Sequence, residues 1–297
     1  VTEERRHFSH SQLKSALGDA GCLRAWGYRY IEGITTPVAG RMHVGTAWDS
    51  LTRLVMDNKI GSIDTSVEEA QELITRRFDN PPTESKHGVT LEYDFSDIDQ
   101  DATRDRLASA AELYVTDVAP TINPISVQRE VRVELLGDID LLGYVDMVER
   151  ADDGSIVVTD NKASMAGRSS YTPEKATVDQ QLALYQAAIA IEDGLSPLTR
   201  GWRTLDIGYK KTIAKFSNVF VREPSHEAAI ARNKETMKSA ADQATILLAV
   251  EAAGVFPPTG RGTWKCSERW CGYYDVCDYG RRSRTAVAVD TPIPEED

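Results

Sequence analysis

The sequence predicts an α/β fold: a mixed central sheet flanked by helices, with an N-terminal helical cap and a C-terminal cysteine segment. Three observations carry this expectation. Stretches rich in valine and isoleucine recur near 126–136, 139–149 and 155–162. The last two are joined through Asp152-Asp153-Gly154, a hairpin signal. A helical stretch at about 174–193 then leads to further strands at 201–211 and 215–222, and strands joined by a crossover helix indicate a sheet of mixed direction.

Taken in order, residues 7–33 read as helix, with Ser9 or Ser11 as the N-cap. Its aromatics Trp26, Tyr28 and Tyr30 read as core or core cover rather than as a stacking platform for bases. A second helix follows Pro37 and carries His43 and Gly45-Thr46-Ala47-Trp48-Asp49. His43 lies on a different face from Asp49 and reads as structural. Residues 64–80 and 101–118 are amphipathic helices joined by a polar loop through Pro81-Pro82, and they are expected to cap the core. Asp97, Asp99 and Asp101 do not make a calcium loop, because Ala102 and Ala108 stand where its glycine and glutamate belong. After the sheet comes a long helix, 224–253, stopped by Gly254 with Pro257-Pro258 beyond.

The 297 residues suffice for a full core. We expect one domain over 1–285, made of a helical part (1–120), an α/β core (121–222) and a long helix with the cysteine segment (223–285), then an acidic tail at 286–297. Net charge is −12, with acidic clusters at 92–105, 149–153 and 290–297. Basic residues gather at 200–215 (Arg200, Arg203, Lys210, Lys211, Lys215) and 261–284. That asymmetry permits a basic track for phosphates, although solvated surface is the default for each cluster. No apolar run approaches the roughly 20 residues of a membrane span, and the first residues lack an apolar signal core. A soluble, cytoplasmic protein is expected. There is no G-x-x-x-x-G-K-[ST] phosphate loop, so any helicase partner is a separate protein.

The chemistry concentrates in G-Y-V-D at 143–146, I-V-V-T-D-N-K at 156–162 and Q-L-A-L-Y at 181–185. Alternation along a strand puts Asp160 and Lys162 on one face, and Asp146 lies near the end of the partner strand. Two carboxylates and a lysine can hold a divalent metal and position a water. From D-x-K alone, an exposed hairpin with ordinary charges is the plainer reading. Gln181 and Tyr185, at i and i+4, share a helix face.

Cys22, Cys266, Cys271 and Cys277 are the four cysteines, the last three spaced C-x4-C-x5-C. In a cytosolic protein such clustering favours a soft centre, zinc or an iron–sulphur cluster, over disulfides. Paired C-x2-C knuckles, usual for zinc, are absent. Tying Cys22 to Cys266 would close nearly the whole chain, worth on the order of 5 kcal/mol by chain-entropy arithmetic. A structural pin clamping the terminal segments around the core is therefore expected.

In order and spacing, G-Y-V-D, D-N-K and Q-L-A-L-Y resemble the RecB-like branch of the PD-(D/E)XK nuclease superfamily, over about the middle third of the chain. The resemblance implies a restriction-endonuclease-like fold and a Mg²⁺- or Mn²⁺-dependent deoxyribonuclease leaving 5′-phosphates. Single-strand exonuclease action, with some endonuclease action, in recombination, repair or CRISPR adaptation is what it suggests. It also implies a site: Asp49, Asp146, Asp160 and the backbone carbonyl of Asn161 on the metal, Lys162 on the attacking water or the developing charge, and Gln181 and Tyr185 orienting. Asp49 stands where the branch has a histidine in G-[ST]-x-x-H, and a carboxylate is a harder ligand suited to Mg²⁺. One cysteine before the core and three after it is similar to the iron–sulphur nucleases of this branch, AddB-type domains and CRISPR-associated adaptation exonucleases. This implies a [4Fe–4S] cluster on Cys22, Cys266, Cys271 and Cys277, although the first gap is four where the family commonly has two. The implied setting is bacterial or phage-encoded. DNA with free ends, and a helicase, recombinase or adaptation protein, are the implied partners. A non-catalytic iron–sulphur DNA-binding scaffold, a redox or zinc regulator, and RNA as substrate remain the alternatives.

Overall fold

A computed structural model of the chain describes residues 5–84, 90–165, 171–194, 197–208, 214–259, 263–268 and 270–280. In chain order the elements are β1 (His7–Phe8), α1 (His10–Leu17), α2 (Leu23–Tyr30), β2 (Val38–Ala39), α3 (Gly40–Ile60) and α4 (Val67–Asp79). They continue with β3 (Tyr93–Asp94), α5 (Gln100–Leu113), β4 (Pro124–Leu136), β5 (Ile139–Arg150) and β6 (Ile156–Ser164). Last come α6 (Pro173–Val178), α7 (Gln180–Asp193), β7 (Thr199–Asp206), β8 (Lys215–Arg222) and α8 (His226–Ala253). The chain divides into two compact units: Val1–Ser11 with Pro37–Ile246, and Gln12–Thr36 with Leu247–Asp297.

The first unit holds the sheet. β4 and β5 form a long antiparallel hairpin closed by Gly137, whose φ of 57° suits a residue without a Cβ. β5 pairs antiparallel with β6, β6 parallel with β7, and β7 antiparallel with β8. The turn between β5 and β6 is the expected one, with Gly154 at φ 81°. Its backbone bonds run from Ala151 N to Ser155 O and from Gly154 N to Ala151 O.

Helices α3, α4 and α5 pack as a layer on the sheet. Leu51, Met56, Ile74, Leu107 and Ala110 are fully buried in one cluster with Met147 and Leu205 of the strands. Each such large apolar side chain removed from water contributes about 1.5–3 kcal/mol. The α6–α7 pair packs through Ala176 and Leu182 on Trp202, with Val219 and Val221 beside them. Trp202 and Leu205, like Val219 and Phe216, alternate across strands, so the two helical layers lie on opposite faces of the sheet. Caps fix where the helices begin. Ser66 and Glu69 form a reciprocal capping box at α4, Asp99 caps α5 and Thr172 caps α6. Asp99 is thus a helix cap, and Asp97 pairs with Arg41 at 2.6 Å, which accounts for two of the aspartates at 97, 99 and 101.

The structure corrects several boundaries. The 7–33 stretch begins as strand, because His7 and Phe8 pair parallel with Asp140 and Leu141 on an edge of β5. It then breaks between α1 and α2, where a Cβ on Gly21 would sit 2.4 Å from the Ala16 carbonyl. The 174–193 helix is two helices, interrupted at Asp179, whose extended backbone (φ −69°, ψ 119°) lets its carboxylate cap α7 at Leu182 N. The 201–211 strand ends at Asp206, and the 101–118 helix changes at Tyr114 into a π-helical turn. No helix among the described residues is long and apolar enough to cross a membrane. The expected tail at 286–297 lies outside the described residues.

In the second unit, Trp26 packs its ring on Phe256 and Tyr28 stacks on Tyr273 with centroids 5.4 Å apart. Trp26 and Tyr28 are buried, as expected of core aromatics. Tyr28 Oη donates to Val276 O, and Tyr273 Oη donates to Ile34 O.

Candidate active site

The sheet is split where the site forms. On one edge β5 pairs with β4 along its length. On the other it pairs with β6 only from Met147 to Arg150, and with β1 only at Asp140 and Leu141. Beyond the Met147–Thr159 pair, β5 and β6 part, leaving Asp146 and Asp160 at the fork. Asn161 N–H, released from the ladder, donates instead to Asp146 Oδ2 at 2.8 Å. A buried backbone donor must find an acceptor, and here it is a carboxylate. The structure thus places the Asn161 amide against Asp146.

Around this fork four elements converge. β6 supplies Asp160, 1% exposed, with Lys162 Nζ 2.5 Å from its Oδ2 as an ion pair. From α7, Gln181 Nε2 donates to Asp160 Oδ1 (3.1 Å) and to Tyr185 Oη (3.2 Å). α3 brings Asp49, and β4 brings Gln128, whose Nε2 reaches Asp49 Oδ1 at 2.7 Å and Asp146 Oδ1 at 3.3 Å. Gly143 explains the start of the G-Y-V-D motif, since a Cβ there would lie 2.9 Å from Tyr185 Cε1. The structure therefore brings together Asp49, Asp146, Asp160, Lys162, Gln181 and Tyr185, drawn from sequence positions up to 136 residues apart.

Charge is concentrated at the fork. Burial, and then the Asp49 charge, push the Asp146 carboxyl well above the usual range, against Lys162, the Asn161 amide and Gln128. Asp160 is likewise raised, by burial first and by Asp146, with Lys162 opposing. Lys162 is held firmly protonated: burial works against its charge, but Asp160 and Asp146 outweigh it. Burial pushes the Tyr185 phenol up to about 12. Three carboxylates against one ammonium leave two formal negative charges, and hard oxygen donors carrying that excess fit one divalent cation. As placed, the carboxylates are parted by the Gln128 amide and Lys162, and among the described residues no three His, Cys, Asp or Glu side chains stand as a ready metal cage.

The four cysteines all lie in the second unit, and none is in a disulfide. Thr259 N–H donates to Cys22 Sγ at 3.4 Å, and Thr259 Oγ1 donates to Gly21 O at 2.6 Å. The Cys22 thiol lies below its ordinary range: burial raises it, and hydrogen bonds from Thr259 and nearby amides outweigh that. Cys271 is raised by burial and by Cys22, Cys266 and Cys277. Among the described residues these thiols are not gathered as a metal site.

Other expectations fare differently. His43 is structural: 1% exposed, Nε2 3.0 Å from Phe78 O, and ringed by Phe78, Tyr93 and Phe95. Arg200 and Arg203 do not join a basic surface track. Arg200 is buried in an ion pair with Glu223, and Arg203 in one with Glu149, because guanidinium forks are the cations that cross a strand interior best paired. Glu149 likewise leaves the acidic surface cluster at 149–153 for the interior. Lys210, Lys211 and Arg281 lie outside the described residues. Sequence reasoning missed Gln128 altogether: a glutamine between Val127 and Arg129 carries no motif, and its place opposite Asp146 follows only from strand register.

The chain matches, over residues 7–278, the family model described as the PD-(D/E)XK nuclease superfamily. The matched span includes the whole fork and all four cysteines. No curated protein matches the chain. Among solved structures, the crystal structure of SSO0001 is similar at 13% identity, covering 87% of this chain and 94% of that one with a TM-score of 0.32. A likeness that distant carries no argument about function.

Proposed function

This chain belongs to the PD-(D/E)XK nuclease superfamily, and from that premise we propose that it is a Mg²⁺- or Mn²⁺-dependent deoxyribonuclease of the RecB-like, iron–sulphur kind. One observation supports the reading above the others. The split between β5 and β6 gathers three carboxylates and a protonated lysine from α3, β5 and β6, an excess of negative charge that a bound cation would balance.

Asp49, Asp146 and Asp160, with the Asn161 carbonyl, would hold the ion. A bound divalent cation supplies Lewis acidity toward a phosphate and lowers the pKa of a bound water. The remaining work falls to the chain's own groups. Lys162, kept protonated by Asp160 and Asp146, would orient the attacking water and neutralise charge developing on the phosphate. Gln181 fixes Asp160 Oδ1, which leaves the other oxygen of that carboxylate turned to Lys162. Tyr185 is too weak an acid to exchange a proton near neutral pH, and its hydroxyl accepts from Gln181 and so holds that amide's orientation. We assign single-stranded DNA with free ends as the substrate class, by kinship with the branch.

In the second unit, Cys22, Cys266, Cys271 and Cys277 would hold a [4Fe–4S] cluster with a structural role. Ligand loops of this kind settle into their final geometry when the metal binds.

The test is cleavage of end-labelled single- and double-stranded DNA and RNA, linear and circular, with Mg²⁺ or Mn²⁺. Lys162→Ala and Asp146→Ala run beside the wild type. Metal-dependent loss of linear single-stranded DNA, absent in both variants, supports the reading. DNA bound but never cut, with any metal, would replace it with the scaffold alternative, and cutting of RNA alone would replace the substrate.

A further inference from the structure

We propose that Gln128 is a positioning residue that sets the cation affinity of the fork, by tying Asp49 to Asp146 through one amide nitrogen. The inference rests on the reading of the fork as a divalent-metal site.

Asp49 and Asp146 come from different elements, a helix and a strand. They are linked, among the described residues, by Gln128 Nε2, 2.7 Å from one carboxylate and 3.3 Å from the other. The chemistry suits this place. A primary amide carries two N–H donors on one atom, enough for two acceptors, and brings no charge. A hydroxyl would serve one acceptor only, and a lysine would put a resident cation between the two carboxylates.

The backbone is shaped for the same end. Gln128 has φ 45°, in the left-handed region that few residues without a special reason occupy. Strand register does not require it. Val127 pairs with Met147 and Arg129 with Val145, so the ladder keeps step across Gln128, and the register shifts of β4 lie elsewhere. Across this residue the facing of the hairpin changes, in β4 and in β5 alike: Gly143 lies against Tyr185 of α7 and Met147 in the α3–α5 cluster. Val127 packs with the α3–α5 cluster, yet Arg129, two residues on, reaches α7 on the opposite face. There its guanidinium grips Asp193 through both nitrogens (2.7 and 2.6 Å) and Glu192 at 2.8 Å. Two residues apart in a regular strand would share a face. The Arg129 fork thus holds the twist on one side, and Gln128 spends it on the two carboxylates. Strain kept where register does not ask for it is a mark of function.

The experiment is Mn²⁺ titration by calorimetry and by the electron paramagnetic resonance of free Mn²⁺. It uses the full chain as wild type, Gln128→Ala, Gln128→Gly and Asp146→Ala, with thermal melts of each. Both Gln128 variants are expected to weaken Mn²⁺ binding by about ten- to a hundredfold, the usual effect of losing a partner that orients a ligand. Gln128→Gly is expected to melt no lower than the wild type, since glycine adopts this φ freely. That result separates lost positioning from lost structure, and excess Mn²⁺ should then restore its cleavage. If both Gln128 variants bind Mn²⁺ within about twofold of wild type while Asp146→Ala does not bind, this inference falls and the metal site stands. A wild type that binds no Mn²⁺ overturns both.

Discussion

The ion pair behind the fork offers the sharpest test of how this fold is held. Glu149 of β5 and Arg203 of β7 are both buried, joined at 3.2 Å, and Thr159 Oγ1 of β6 donates to Glu149 Oε1. One side chain from each of three adjacent strands therefore meets within the sheet, next to the last β5–β6 pair before the strands part. Replacing Glu149 by Ala leaves the Arg203 guanidinium, whose side chain is 7% exposed, without a counter-charge. Removing one partner of a buried pair costs about 3–5 kcal/mol. At about 2–4 °C per kcal/mol for a domain of this size, the melting temperature should fall by about 6–20 °C, read by circular dichroism or calorimetry. The double variant Glu149→Leu with Arg203→Leu removes both charges, and apolar replacement of a buried pair is close to neutral. It should recover most of the loss. A Glu149→Ala protein melting within about 2 °C of wild type, less than 1 kcal/mol on that scale, would refute the reasoning, as would a double variant no better than the single one.

Lys162→Ala should lower cleavage by about 10²–10⁴-fold, the range for a positioned proton-handling or charge-stabilising group, and excess metal should not restore it. His43 provides the pH test: burial lowers its pKa below 6.5, against backbone hydrogen bonds at Phe78 and Arg77. As pH falls below about 6.5 the unfolded chain takes up a proton that the folded chain resists, so stability declines, by at most about 1.4 kcal/mol per pH unit. Above that pH the residue is neutral in both states and contributes nothing, and His43→Leu should flatten the acid limb of a denaturation series. Gly143→Ala drives a methyl to 2.9 Å from the Tyr185 ring and should cost about 1–3 kcal/mol by overpacking, measured by urea unfolding. With the proposed cluster in place, Cys22→Ser should abolish the visible absorption of the anaerobically purified protein and lower its melting temperature, and an unchanged spectrum would remove Cys22 from the proposed ligand set.

Much of the fold and part of the site were legible before any coordinates. The strands β4, β5 and β6, the Asp152–Gly154 hairpin turn and the helix carrying Gln181 and Tyr185 follow from patterns with periods of two and 3.6 residues, which report a residue's nearest neighbours along the chain. The gathering of Asp146, Asp160 and Lys162 was legible for the same reason, since hairpin strands place them within reach. Asp49 was found by resemblance to a motif, not by periodicity. Charge patterns misled where they met the interior. Arg200, Arg203 and Glu149 look like surface residues in sequence, and only their pairing across strands lets them be buried.

The sequence by itself determined strands β4 to β8, the Asp152–Gly154 turn, the D-x-K face and the four thiols, because each is set by residue type and local spacing. Only the tertiary structure decided that β5 and β6 part at Asp146, that β1 fills the other end of that edge, and that Gln128 turns left-handed to join Asp49 to Asp146. The physical reason is that these depend on contacts between groups not neighbouring in sequence, 15 residues apart for Asn161 with Asp146 and 79 for Gln128 with Asp49. Local patterning says which way a side chain can face, and only the closed sheet says what it meets there.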